Sequence, residues 1–211
     1  MIEIRPVQSD DLDALYRIAL ATGDGGADAA ALYRDPNLIG HIYAGPYALL
    51  CPRTVFVAED DDGVGGYIVG AADTPAFEAR MEAGWWPALR TAYPTPADVP
   101  QVDRTPDQRR IHAIHHPRHT PSEITDAYPS HLHINLLSRL RGRGVGRALM
   151  DRWLAAVCEI GSTGAHLAVG VANARAIRFY TAYGFRVLAS VPHPAVGVVW
   201  LGITLRRDGP G

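Results

Sequence analysis

The chain has 211 residues, with 20 basic and 22 acidic side chains, nine histidines, a formal charge of −2 and 47% hydrophobic residues. That length suits one domain whose core needs no disulfide or metal staple, and the apolar content excludes a disordered chain. The balanced charge speaks against a nucleic-acid partner, and no apolar run reaches the roughly 20 residues that span a bilayer.

Residues 2–7 alternate apolar and polar side chains and predict a strand. Ser9 stands where a helix N-cap belongs, and Leu12, Leu15, Ile18 and Ala19 follow at helical spacing as far as Thr22 and the stop at Gly23. Two short helical pieces are expected near 29–34 and 36–50. A hairpin follows: 54–59 and 64–71 are β-rich, and Asp60-Asp61-Asp62-Gly63 is turn chemistry rather than a calcium loop, since the spaced ligands of such a loop are missing.

Between about 75 and 129 the character changes. Residues 77–93 predict a helix that Pro94 ends, and prolines recur at 96, 100, 106, 117, 121 and 129. An insert of roughly 55 residues between two strands suggests a lid or binding segment. Order returns with an alternating strand at 131–137, a glycine-rich turn at 141–146, and an amphipathic helix at 145–160. A strand at 166–171, a helix at 173–183 with Asn173 as cap and Gly184 past its end, and strands at 185–191 and 196–205 complete the chain.

Cys51 and Cys158 match no metal spacing and read as buried thiols rather than a disulfide in a reducing compartment. The N-terminus lacks the basic start and apolar core of a signal peptide, so a cytoplasmic protein is expected. Every basic residue is arginine; without lysine there is no Schiff-base chemistry.

Arg141-Gly142-Arg143-Gly144-Val145-Gly146-Arg147 carries the most chemistry. Glycines let the backbone turn tightly, and the start of the following helix offers unpaired N–H groups and a positive dipole end. With three arginines this predicts a pyrophosphate site. The Gly-Lys-Ser/Thr ending of a P-loop is absent, and no acidic residue ends the next strand as in a dinucleotide fold. In the second segment, Asn173, Ala176, Ile177 and Tyr180 share one helical face ahead of Tyr183-Gly184-Phe185.

Taken together, these two segments resemble the GNAT superfamily of N-acetyltransferases, well over 132–185 and by element order before it. The resemblance implies a single α/β domain, residues 1–211, with a mixed, mostly antiparallel sheet, helices on both faces and an insert at about 75–129. It implies acetyl-coenzyme A as co-substrate, with the pantetheine arm between two splayed strands against Leu136, Leu137 and Ser138. The pyrophosphate would rest on Arg141, Gly142, Arg143, Gly144, Val145, Gly146 and Arg147, with Asn173 and Ala176 as the further wall. Tyr180 would protonate the departing thiolate. The acceptor would be a small-molecule or peptide amine that attacks the thioester directly, with no nucleic acid, membrane or metal involved, in a monomer or homodimer. His133 is the preferred base; His131, Asp126 and Glu59 are alternatives. Tyr128 to Leu137, after the long insert, is also similar to bacterial relatives of the acetyltransferase-like C-terminal domain of O-GlcNAcase. That likeness keeps open a coenzyme-A-binding module without catalysis.

His112, His115, His116 and His119 fall close together, but no zinc-protease spacing supports them, and a solvated basic loop or an acceptor contact are the other readings. Of Trp85 and Trp86, one is expected to pack the insert's helix onto the body and the other to line an acceptor pocket, with core packing the default for both. The final strand, 196–205, is a candidate edge for dimer pairing.

Overall fold

The computed structural model describes residues 1–95, 99–191 and 197–205. Seven strands form one mixed sheet: β1 (Glu3–Pro6), β2 (Val55–Asp60), β3 (Gly63–Ala71), β4 (Ser130–Leu136), β5 (Gly164–Gly170), β6 (Arg186–Val191) and β7 (Val198–Thr204). Their spatial order is β1-β2-β3-β4-β5-β7-β6, and every neighbouring pair is antiparallel except β4 with β5. The expected dimer edge is therefore corrected. β7 lies inside the sheet, bonded to β5 on one side and β6 on the other, and the edges are β1 and β6. Position 196 lies outside the described residues.

Strand alternation gives the sheet two faces, each with its own core. The front face carries α1 (Leu12–Ala21), α2 (Leu38–Tyr43), α3 (Gly45–Leu50), α4 (Thr74–Arg80), α5 (Trp86–Ala92), α6 (Pro106–His115) and α7 (Ser122–Thr125). Its core joins Leu15, Ile18, Tyr47, Phe77, Trp86 and Ile114 to Val55, Tyr67 and Val69 of the sheet. The back face carries α8 (Val145–Ile160) and α9 (Ala174–Tyr183), whose Leu149, Met150, Trp153 and Tyr180 pack on Phe56, Ile68, Leu132 and Leu167. Trp153 is fully buried and donates its indole N–H to the Thr54 carbonyl at 3.1 Å. Gly70 makes this approach possible: a Cβ there would lie 2.5 Å from the indole.

Several expected boundaries shift for identifiable reasons. Ser9 lies inside a 3-10 turn, Ser9–Asp11, and the Asp11 carboxylate instead accepts the Gln8 N–H at 2.7 Å and the Arg5 guanidinium. The helix expected over 36–50 is two, broken at Ala44 ahead of Gly45-Pro46. The helix expected over 77–93 starts at Thr74 and passes through a π-helical turn, Met81–Trp85, because Pro87 has no N–H to continue the α ladder. The insert is a packed wall over the front face. Its two ends meet where the Thr74 N–H donates to the Pro129 carbonyl at 2.9 Å.

Candidate active site

β4 and β5 pair only at Ser130↔Ala165 and His131↔His166. Beyond those two positions β4 follows β3 as far as Leu136, while β5 follows β7 as far as Gly170. The two parallel strands therefore diverge into a V, whose sides are backbone not committed to each other. The loop 137–144 leads from the end of β4 to the start of α8. Leu137 donates its N–H to Gly65 at 2.8 Å and packs its side chain on the front core, while Ser138 is exposed. The Leu136 carbonyl accepts Arg141 Nε at 2.9 Å.

The glycine-rich turn is built as an anion receptor. Gly142 and Gly144 have φ of +72° and +77°, which side chains rarely adopt, and a Cβ on either would project into open space. Gly146 differs: its missing side chain lets α8 approach Leu136 and Phe179. No side chain caps α8 and no acidic residue stands in its first turn, so the N–H groups of Val145, Gly146 and Arg147 lack intrahelical acceptors. Arg143 is exposed, and Arg147 lies over the Tyr183 ring at 5.2 Å. Arg141 is a bracket as well as a charge: its Nη2 donates to the Gly26 carbonyl at 2.5 Å, tying the turn to the loop after α1. Burial and the neighbouring Arg175 lower its pKa. Among the described residues none of Arg141, Arg143, Arg147 and Arg175 pairs with a carboxylate. Arg143 is near enough to Asp60 to lower its pKa, but with no close ion pair among the described residues this positive charge beside uncapped amides fits a diphosphate.

Asn173 caps α9, its side chain accepting the Ala176 N–H at 3.1 Å. Tyr180 is 7% exposed, with its ring edge-on to Phe179 and Phe185. Its hydroxyl has no hydrogen-bond partner among the described residues, and burial pushes its pKa up. The phenol therefore keeps its proton throughout the neutral range and is free to give it.

On the front face beside the V, His131 and His133 share one side of β4 with Asn135, as alternation requires. His131 is fully engaged. The Thr74 hydroxyl donates to the Pro129 carbonyl at 2.6 Å, so it accepts from His131 Nδ1 at 2.8 Å; His131 Nε2 then accepts from the Tyr47 hydroxyl at 2.8 Å. This chain fixes a neutral tautomer, and burial drives the pKa of His131 well down. His133 makes no hydrogen bond among the described residues. It sits edge-on to Tyr43 at 5.3 Å and Tyr47 at 5.6 Å, and burial followed by the nearby His166 lowers its pKa to about 4. Asn135 donates to the Thr22 hydroxyl at 2.5 Å.

The remaining candidates are placed elsewhere. Glu59 accepts Arg5 Nε at 2.7 Å near the β1 edge of the sheet, and Asp126 is exposed after α7. His115 is bonded to the Tyr93 carbonyl at 2.7 Å, His119 pairs with Glu78 at 2.9 Å, and the His112 and His116 rings lie 4.5 Å apart. No group of three or more potential ligands gathers to hold a metal among the described residues. Trp86 is buried in the front core, and Trp85 donates to the His41 carbonyl at 2.9 Å, so both tie the insert down. Cys51 is a free thiol, and burial raises its pKa.

The acetyltransferase (GNAT) domain model matches residues 119–187. The crystal structure of SsHAT is 40% identical, with a TM-score of 0.88, and the match covers 96% of this chain and 98% of that one. The chain belongs to the GNAT superfamily. Protein O-GlcNAcase of Rattus norvegicus is 25% identical over 203 residues, 96% of this chain but only 22% of that protein's length. A structure of similar fold is that of the acetyltransferase yncA from Salmonella typhimurium with its cofactor acetyl-CoA: 15% identical, TM-score 0.60, covering 99% of this chain and 96% of that one.

Within this GNAT domain the V and the α8 turn lie where the motifs placed them. Tyr43, Tyr47, Thr74 and His166, which enclose the two strand histidines, come from segments far away in sequence. Only the i, i+4 spacing of Tyr43 and Tyr47 could have marked two of them in advance.

Proposed function

We infer that this GNAT domain transfers an acetyl group from acetyl-coenzyme A to an amine. The observation that carries this reading is the uncapped, acid-free start of α8 at the mouth of the V between β4 and β5. The amides of Val145, Gly146 and Arg147, with Arg143 and Gly144, would hold the pyrophosphate. Backbone groups near Leu136 and Ser138 would line the pantetheine arm, and the Asn173 cap with Ala176 would form the far wall. The thioester supplies an activated acetyl carbonyl. The acceptor nitrogen attacks that carbon directly, a C–N bond forms as the C–S bond breaks, and the departing sulfur takes the Tyr180 proton. His133 takes the nitrogen's proton as bond formation makes it acidic. It is neutral at pH 7, so its ring nitrogen can accept, though with a pKa of about 4 it is a weak base. The same weakness supports a second reading: a coenzyme-A-binding domain that senses or docks without transferring.

Calorimetric titration with acetyl-coenzyme A, coenzyme A and ATP tests the assignment. Both coenzyme forms should bind and ATP should not. Gly144→Val, which places a branched side chain at φ +77° in front of the amides, should abolish binding. If neither coenzyme form bound the intact protein, the transfer reading would be lost. Thiol release with a panel of amines then separates transfer from docking.

A further inference from the structure

Arg110 on α6 is half-buried in the front wall and makes an unusual set of contacts. Its Nε donates to the Tyr33 hydroxyl at 3.0 Å and its Nη1 to the Tyr43 hydroxyl at 2.9 Å. A guanidinium can only donate, so both hydroxyls must be accepting, and each keeps its own proton to give. Among the described residues neither hydroxyl has an acceptor for that proton, Nη2 of Arg110 has no partner, and no carboxylate pairs with the charge. The Asp107 carboxylate, one turn earlier on α6, is already taken by the N–H groups of Arg34 and Asp35. One positive charge and three donor groups therefore sit together with nothing among the described residues to receive them. A partly desolvated charge left so is costly, and an anion would complete it.

The cluster adjoins the candidate active site. The Arg110 guanidinium lies 5.2 Å from the centre of the Tyr43 ring, and the Tyr43 ring lies 5.3 Å from the His133 imidazole. A small molecule that spanned the Tyr43 ring would present an amine near His133 and an anion to Arg110. On the transfer reading above, we propose that Arg110, Tyr33 and Tyr43 form an anion subsite and that the acceptor is an amine that also carries a carboxylate. The site selects by the cost of leaving its donors unpaired: an acceptor whose carboxylate is replaced by a neutral amide brings no charge to the guanidinium.

A different account makes Arg110 only a tie between α6 and α2. The two are separated by the products of such a reaction, N-acetylated amino acids, each titrated beside its own primary amide onto the full chain by saturation-transfer NMR. The acids should bind at least ten times more tightly than the amides. Arg110→Gln should erase that preference, and Tyr33→Phe, which keeps the ring and removes one donor, should weaken the acids several-fold. A melt of each variant checks folding, and if Arg110→Gln does not fold, Tyr33→Phe carries the test. Equal binding of acid and amide, no binding of any pair, or an unchanged preference in the folded variants overturns the proposal. Acetyl-coenzyme A is titrated separately. Its failure to bind, with the acid preference intact, would strike the transfer reading and leave the anion subsite standing.

Discussion

Tyr180 is the buried group on which the transfer reading leans. Its ring is held by Phe179 and Phe185 in the back core, which raises its pKa, yet its hydroxyl has no hydrogen-bond partner among the described residues. Tyr180→Phe keeps the packing and removes only the proton. Affinity for acetyl-coenzyme A should hold within about twofold, while the rate of thiol release falls on the order of 100-fold. An unchanged rate would make Tyr180 a packing residue with water as the donor. Residues of this kind were legible in advance because their motif is local: Tyr180 stands seven positions after its helix cap. Arg141 was legible only as a charge. Its second job, bracing the Leu136 and Gly26 carbonyls, joins residues 115 positions apart, and no local pattern signals that. His131 and His133 look equivalent on an alternating strand. Their neighbours separate them, since Thr74 and Tyr47 occupy both nitrogens of His131 and leave His133 free.

At the scale of elements, α8 and α9 declare themselves by an apolar stripe with glycine or asparagine at the ends, and they fall where expected. The insert does not, because its helices are short, interrupted by proline, and ordered by what they pack against. Its base is closed by a chain from the Pro129 carbonyl through the Thr74 hydroxyl and His131 to the Tyr47 hydroxyl, which links both ends of the insert to β4 and α3. Thr74→Val keeps the shape and removes the middle of that chain. The Pro129 carbonyl would retain only the Thr74 N–H, and His131 Nδ1–H would have no acceptor. The expected cost is about 1–3 kcal/mol, read as a lower urea midpoint at unchanged m value. Thr74→Ser should recover most of it. If Thr74→Val were as stable as the parent protein, the chain would be an accident of packing and the insert would be held by its other contacts, Phe77, Met81 and Trp86 in the core and the Trp85 bond to His41 among them.

Across the whole molecule, one face of the sheet gathers His131, His133 and His166, each with its pKa lowered first by burial. His166 is anchored by donating Nδ1–H to the Tyr128 carbonyl at 2.6 Å, and that bond and the nearby Glu78 carboxylate offset only part of the effect of its burial. In the unfolded chain these imidazoles take protons near pH 6.5. In the folded chain they resist, His133 down to about 4. The unfolded state thus binds more protons between those values, so stability is complete above about pH 6.5 and drains away as the pH falls toward 4. Asp11, held low by its bond to Arg5, adds a loss only at still lower pH, because its carboxylate stays charged until then. Urea unfolding followed from pH 7.5 to 4.5 should show this loss, on the order of 1–2 kcal/mol by pH 5 after allowing for the partial exposure of His133. His133→Phe should fit between Tyr43 and Tyr47 and flatten part of the curve. A parent curve already flat across this range would mean that water reaches these rings and that the face is open to protons. In that case His133 would be a stronger base than its burial implies, and transfer would gain ground over docking.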